Sequence, residues 1–168
     1  MWEEKMAKYI VFSDSHGKND RMYDIIRQNQ DQIDGLFHLG DVGDAAEDLS
    51  LMVKGPVYIV RGNCDTRSGL RTENVFRLHG HRIAMTHGHN QHVERGVDIL
   101  KYWALQNEAD VVLYGHTHVP FVEQSSQMTI LNPGSISRPR QSGFECTYAW
   151  MEFLPNGEIS IEIVKLPK

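Results

Sequence analysis

The sequence predicts an α/β fold in which two β-sheets pack face to face and helices cover their outer sides. Three observations carry this expectation. Short apolar runs alternate with helically spaced apolar residues through the first two-thirds of the 168-residue chain, as in a sheet with covering helices. Those runs are near-continuously apolar, the pattern of strands covered on both faces. The last third switches to paired short runs around turn signals, which reads as a second, mostly antiparallel sheet. At this length one domain spanning 1–168 is expected, large enough to bury a core unaided.

The predicted strands of the first part are Lys8 to Phe12, Gly35 to Leu39, Val57 to Val60, Ile83 to Met85 and Val111 to Tyr114. Between them Met22, Ile25, Ile26 and Asn29 fall at helical spacing. Val93, Val97, Leu100 and Ala104 do the same and mark the longest predicted helix. Asp44-Ala45-Ala46-Glu47 has the form of a capping box opening a short helix through Leu49 and Met52. Phe121 to Gln124 and Met128 to Leu131 read as a strand pair around Ser125-Ser126. Cys146 to Phe153 and Glu158 to Lys165 flank Pro155-Asn156-Gly157, a hairpin signal. In the second of these, Ile159, Ile161 and Ile163 alternate with Ser160 and Glu162, so one face turns to the core.

Composition narrows the function classes. Lys and Arg total 17 against 22 Asp and Glu, a net charge of −5 with no basic cluster, which argues against a dedicated nucleic-acid surface. Bound cations could still recruit an anionic substrate. Apolar runs of about five residues fall far short of the roughly 20 that a membrane span needs, so no membrane partner is expected. No apolar segment of signal-peptide type follows the polar start; Met6 is an alternative first residue, with Trp2 to Lys5 an extension. The two cysteines, Cys64 and Cys146, build no disulfide framework and fit a reducing cytoplasm. The nine histidines are the compositional oddity.

Where they fall is informative. Five apolar runs end in a metal-capable residue or pair: Ser13-Asp14-Ser15-His16, Gly40-Asp41, Gly62-Asn63-Cys64-Asp65, Thr86-His87-Gly88-His89 and Gly115-His116-Thr117-His118. Each alone has a plain structural reading. Asp14 ahead of a helix resembles an N-cap, Asn63 after glycine a turn residue, and His116 with His118 a surface pair. Together they deliver oxygen and imidazole groups to the carboxyl ends of five strands, where the loops of an open α/β sheet meet in one crevice. Of the other histidines, His38 inside a strand reads as a hydrogen-bonded core residue. His79 and His81, around Gly80, are expected in an exposed turn away from the crevice. His92 is expected in the first turn of the long helix, and His89 is placed near the site beside His87.

Those blocks, in that order, resemble the calcineurin-like metallophosphoesterase superfamily, whose pattern runs D-x-H, G-D, G-N-H-[DE], G-H and G-H-x-H. With Asn132-Pro133-Gly134-Ser135 the resemblance extends over essentially the whole chain and is to the small single-domain YfcE-type phosphodiesterase branch. It implies a four-layer α/β/β/α sandwich of two mixed sheets flanked by helices. It also implies two divalent metal ions, Mn²⁺ first, with Fe, Ni or Zn as other occupants. Asp14, His16 and His118 would hold one, Asn63, His87 and His116 the other, and Asp41 would bridge them. Ligands of this mixed type without thiolate suit such metals. The implied reaction is in-line attack on a phosphodiester by a hydroxide bridging the metals, with Asp41, Asn63 and His89 nearest the chemistry. His89 and Asp65 would orient ligands or meet the substrate. Arg138 and Arg140, just after Ser135, read first as surface loop arginines, with bidentate contact to a substrate phosphate as the second reading.

One position departs from the pattern. Cys64 stands where many members carry a histidine, which removes the obvious general acid and points to leaving groups that depart without strong protonation, such as aryl phosphodiesters. Other readings of the same site are a phosphomonoesterase and a dinucleoside-polyphosphate hydrolase. From a different class comes a non-catalytic partner-binding scaffold, as in the small retromer subunit. The completeness of the seven ligand positions favours the enzyme. The expected partner is therefore a small phosphodiester. Relatives of the resembled branch are often dimers or tetramers, which leaves a homodimer or homotetramer open, and no patch in this sequence decides the assembly.

Overall fold

The computed structural model describes residues 5–66 and 69–168. Its first half runs β1 (Ala7–Phe12), α1 (Asp20–Gln28), β2 (Gly35–His38), α2 (Ala46–Met52), β3 (Val57–Ile59), β4 (Glu73–Leu78) and β5 (His81–Thr86). The second half runs α3 (Asp98–Gln106), β6 (Val111–Leu113), β7 (Phe121–Gln124), β8 (Thr129–Asn132), β9 (Thr147–Phe153) and β10 (Ile159–Lys165). Two five-stranded sheets result, of order β10-β9-β1-β2-β3 and β4-β5-β6-β8-β7. Both are mixed.

Side-chain alternation along the strands builds the layers. From β1, Tyr9 and Val11 join Phe37 and Leu39 against Ile83, Met85, Val111 and Leu113 of the other sheet. Ile10 and Phe12 point the opposite way and pack under α1 and α2 with Met22, Ile26 and Leu49. On the far side of the second sheet, Ala84, Val112 and Ile130 lie under Leu100 and Ala104 of α3. The order is helix, sheet, sheet, helix, in agreement with the expected sandwich.

Tyr9 shows how the inter-sheet layer closes. Its ring stacks on Phe37 at 5.1 Å and meets Phe153 edge-on at 5.5 Å, while its hydroxyl hydrogen-bonds His79 Nε2 at 3.2 Å. Burial pushes the phenol up to about 12, so the hydroxyl stays neutral. Tyr9→Phe keeps the ring and loses only that bond. It is expected to cost about 1 kcal/mol, lowering the thermal midpoint by about 2–4 °C in a scanning-calorimetry comparison.

Several local expectations are corrected. The C-terminal hairpin does not belong to the second sheet: β9 pairs antiparallel with β1, and β10 lies outside it. β9 is buried on both faces, with Tyr148 and Trp150 toward the helices and Ala149, Met151 and Phe153 toward the other sheet, which suits an interior strand. The helix expected across Val93 to Ala104 is broken. Val93–Arg95 forms a 3₁₀ turn, Gly96 takes φ 118°, and α3 begins at Asp98, no longer than α1. His92 is accordingly ahead of the helix, at φ 51°, on the surface.

The capping box does not form. Ala45 holds the N-cap position of α2 without a side-chain cap, and Asp44 accepts a hydrogen bond from Asn19 instead. His79 is exposed as expected, but His81 is not: it sits between Asp110 Oδ2 at 2.6 Å and Gly157 O at 2.9 Å, tying β5 to the β9–β10 turn. Most of the segment 2–5, read as an extension, lies outside the described residues. Among those residues no helix is long and apolar enough to cross a membrane.

Candidate metal centre

β1, β2 and β3 run parallel, as do β5 and β6, so the loops at their carboxyl ends open on one side of the sandwich. Those loops hold strained backbone. Asp14, His16, Asp41, His116 and His118 have φ between 50° and 70°, five of the nine non-glycine residues with positive φ among those described. Each such residue costs on the order of 1 kcal/mol and persists only where its surroundings over-determine it. Here Asp14 N–H donates to Gly40 O, His16 N–H to Asp41 O and Arg140 N–H to His118 O. Space is equally tight. A Cβ on Gly62 would strike the Asp41 side chain, and one on Gly115 would strike Ser13 Oγ.

The seven residues expected as ligands come together in two connected sets. In the first, Asp14, His16, Asp41 and His118 each offer an atom, all within 4.8 Å of one another. His118 Nε2 stands 3.2 Å from both Asp14 Oδ1 and His16 Nε2. The second set is a chain: His87 Nε2 lies 3.1 Å from Asn63 Oδ1 and 3.3 Å from His116 Nδ1. Asp41 Oδ2 belongs to both, 3.4 Å from His16 Nε2 and 3.3 Å from His87 Nε2.

Tautomers are fixed from behind. His87 Nδ1–H donates to Leu39 O and His118 Nδ1–H to Arg138 O, each at 2.6 Å, which turns both Nε2 atoms to the cluster. Asp14 Oδ2 accepts from Ser13 Oγ and from the His116 amide, leaving the buried Oδ1 with no hydrogen bond. Asp41 Oδ1 accepts the Cys64 amide at 2.8 Å, leaving Oδ2 to the shared position. An orphaned buried carboxylate oxygen beside ring nitrogens that face one another is a donor set for a cation.

Charge agrees. Burial pushes the Asp14 and Asp41 carboxyls up, but the surrounding histidines outweigh it and hold both below the ordinary carboxylate range. Burial pulls His16, His89 and His116 down, toward the neutral imidazole that binds metal. On His87 burial also pulls down, yet Asp41 and Asp14 more than offset it and raise the group, so positive charge is favoured where the sets meet. Burial brings His38 down to about 4. It donates Nε2–H to Ser15 Oγ and accepts the Gly40 amide, the packed core role expected of it.

Over residues 7–154 the chain matches the calcineurin-like phosphoesterase superfamily domain. It belongs to that superfamily. It is 30% identical over 131 residues to the probable metallophosphoesterase YsnB of Bacillus subtilis, covering 78% of this chain and 76% of that protein. It is 30% identical over 173 residues to phosphodiesterase YfcE of Escherichia coli K12, 88% of each chain. A Streptococcus pneumoniae TIGR4 protein, described as a predicted phosphoesterase, superposes with TM-score 0.75 at 31% identity, covering 96% of this chain and 99% of that one. Vacuolar Protein Sorting 29 of Cryptosporidium parvum shares the fold at TM-score 0.75 and 18% identity, covering 97% and 99%.

Around these seven residues, other polar side chains fall into distinct places. Asp65 accepts three backbone amides, from Val42, Gly43 and Gly62, and so joins the Asp41 and Asn63 loops. The His89 ring lies 5.4 Å from that of His87 and tilted 56° to it, its buried Nδ1 without a hydrogen-bond partner. Arg138 lines a cleft of about 360 Å³ with His16, Asp41 and Cys64, whereas Arg140 lines a separate groove with His116. Burial, then Asp41, push the Cys64 thiol up, which disfavours a thiolate nucleophile.

Two braces have roles that the sequence did not assign, although Asn132 to Ser135 carried part of the resemblance. Ser135 Oγ and Ser137 Oγ both donate to Asp14 O, and buried Asn132 donates to Gly115 O and Thr117 Oγ1. The stretch Asn132 to Ser137 thereby holds the first and last ligand loops together. Its signal was polar residues directly after an apolar strand, the same signal that marked the five ligand blocks.

Proposed function

We propose that this chain is a metal-dependent phosphodiesterase working on two divalent cations. The observation that carries the reading is Asp41 Oδ2, placed between the imidazoles of His16 and His87 and so common to both ligand sets. Asp14, His16 and His118 would hold one cation and Asn63, His87 and His116 the other. Oxygen and imidazole donors without thiolate fit Mn²⁺, with Fe, Ni or Zn as alternatives. When bound, such a pair lowers the pKa of water toward neutrality and draws charge off phosphoryl oxygens.

The chain's own groups do the rest. Arg138, in the cleft beside His16, is placed to donate to a non-bridging phosphoryl oxygen. His89, whose buried Nδ1 has no hydrogen-bond partner, lies beside His87 and would orient that ligand. Asp65 positions the Asp41 and Asn63 loops through their amides. With a protonated thiol at 64 in place of an imidazole, the leaving oxygen has no strong acid beside it. Substrates with acidic leaving groups are therefore the expected ones. The name of the Escherichia coli relative, a phosphodiesterase, supports the diester over the monoester.

Chelator-stripped protein given bis(p-nitrophenyl) phosphate tests the reading. Hydrolysis should appear on adding Mn²⁺ and vanish again with excess chelator. No turnover by Mn²⁺-loaded protein would overturn it.

A further inference from the structure

We infer that the groove on the outer side of His116 receives an uncharged, apolar ester substituent of the substrate, an inference that rests on the phosphodiesterase reading above. The groove has a volume of about 450 Å³, within the range of small-molecule sites, and its walls are Val97, Tyr114, Val119, Pro120 and Phe121. Val97 comes from the start of α3, Val119 and Pro120 from the loop after the last two histidines, and Phe121 from β7. Three elements thus converge on one apolar surface that the chain leaves open to water. Val119 is 37% exposed.

His116 is the wall this groove shares with the metal-binding cluster. Its Nδ1 lies 3.3 Å from His87 Nε2, inside the cluster, and its Nε2 lies 3.9 Å from Glu94 Oε2, on the groove rim. A phosphoryl group held at the cluster is therefore one side chain away from apolar cover. On the His16 side of the cluster the surface differs: the cleft there is lined by Asp44, Cys64, Asp65 and Arg138. A phosphodiester has two ester substituents, and the two flanks offer them dissimilar surroundings. Glu94 and Arg140 give the groove one charge of each sign at its edge, with no excess to attract an ionic substituent. Apolar walls without a net charge gain most by covering an uncharged hydrocarbon or aryl group.

Titration calorimetry of Mn²⁺-loaded protein with diphenyl phosphate and with dimethyl phosphate tests this, because the two share one anionic diester group and differ only in their substituents. Diphenyl phosphate should bind about tenfold tighter or more. Val119→Asn and Val97→Asn, on separate elements, should each reduce that ratio to about twofold while leaving the affinity for dimethyl phosphate unchanged. Asparagine suits the helix-capping position that Val97 occupies, so the second variant keeps the assignment testable if the first perturbs the adjoining His118. Equal binding of the two esters, or a preference that survives both variants, overturns the groove assignment. If bis(p-nitrophenyl) phosphate is still hydrolysed, that failure leaves the phosphodiesterase reading intact. Binding of neither ester overturns the groove assignment, and with no hydrolysis of bis(p-nitrophenyl) phosphate it overturns both.

Discussion

Asp41→Asn is expected to lower Mn²⁺-dependent hydrolysis of bis(p-nitrophenyl) phosphate by about 10³-fold or more, equivalent to about 4 kcal/mol of transition-state stabilisation. The substitution changes almost nothing in shape. The amide oxygen can still accept the Cys64 N–H, which the wild-type carboxylate takes on Oδ1 at 2.8 Å. That orientation turns the amide N–H₂ toward His16 Nε2 and His87 Nε2, at the position Asp41 Oδ2 holds 3.4 and 3.3 Å from them. A donor then faces the point at which two ligand sets meet, where an ionised carboxylate had favoured positive charge. The loss should therefore appear in metal affinity as well as in turnover, with the far-ultraviolet circular dichroism of the wild type retained. Activity within about tenfold of wild type would remove Asp41 from the shared position.

Asp65→Ala should act differently, on the scaffold and with or without metal. The side chain accepts amides from Gly62 at 2.9 Å, Gly43 at 3.0 Å and Val42 at 3.1 Å, and it is only 6% exposed. Alanine strands those donors in a place water reaches poorly, at a cost of about 3 kcal/mol or more. For a chain of this length that lowers the thermal midpoint by roughly 6–12 °C. The fall should be seen in chelator-treated protein and again after Mn²⁺ is added, since the amides flank Asp41 and Asn63 rather than the cations. An unchanged midpoint in the metal-free protein would show that Asp65 acts only through bound metal.

The contrast between these two residues shows what the sequence made legible. Asp41 stands two residues after an apolar run, and so do Asp14, His87 and His116, so the period of the chain alone marked them. Periodicity predicted convergence. It did not divide the residues into two sets; only the family resemblance did that. The sequence marked Asp65 as a residue able to orient ligands but not the contacts it would use, because the Gly43 and Val42 amides are 22 and 23 residues away in the chain.

Sheet membership was hidden for a related reason. The alternation in Ile159 to Lys165 reveals which face is apolar, but not that β9 would pair with β1 rather than with β8. The failed capping box and the broken helix are competitions settled by neighbours. Asn19 claims Asp44, and the turn through Gly88 to Gly96 places His89 beside His87, which a continuous helix from Val93 would not require. Sequence pattern located the candidate ligands through the strands that precede them. The braces behind them are tertiary.

Anomalous diffraction at the manganese edge, from crystals of chelator-stripped protein reloaded with Mn²⁺, tests the two-cation centre most directly. Two peaks per chain are expected, one among Asp14, His16 and His118 and the other among Asn63, His87 and His116, with Asp41 between them. A single peak, or peaks that leave Asp41 on one side, would contradict the account.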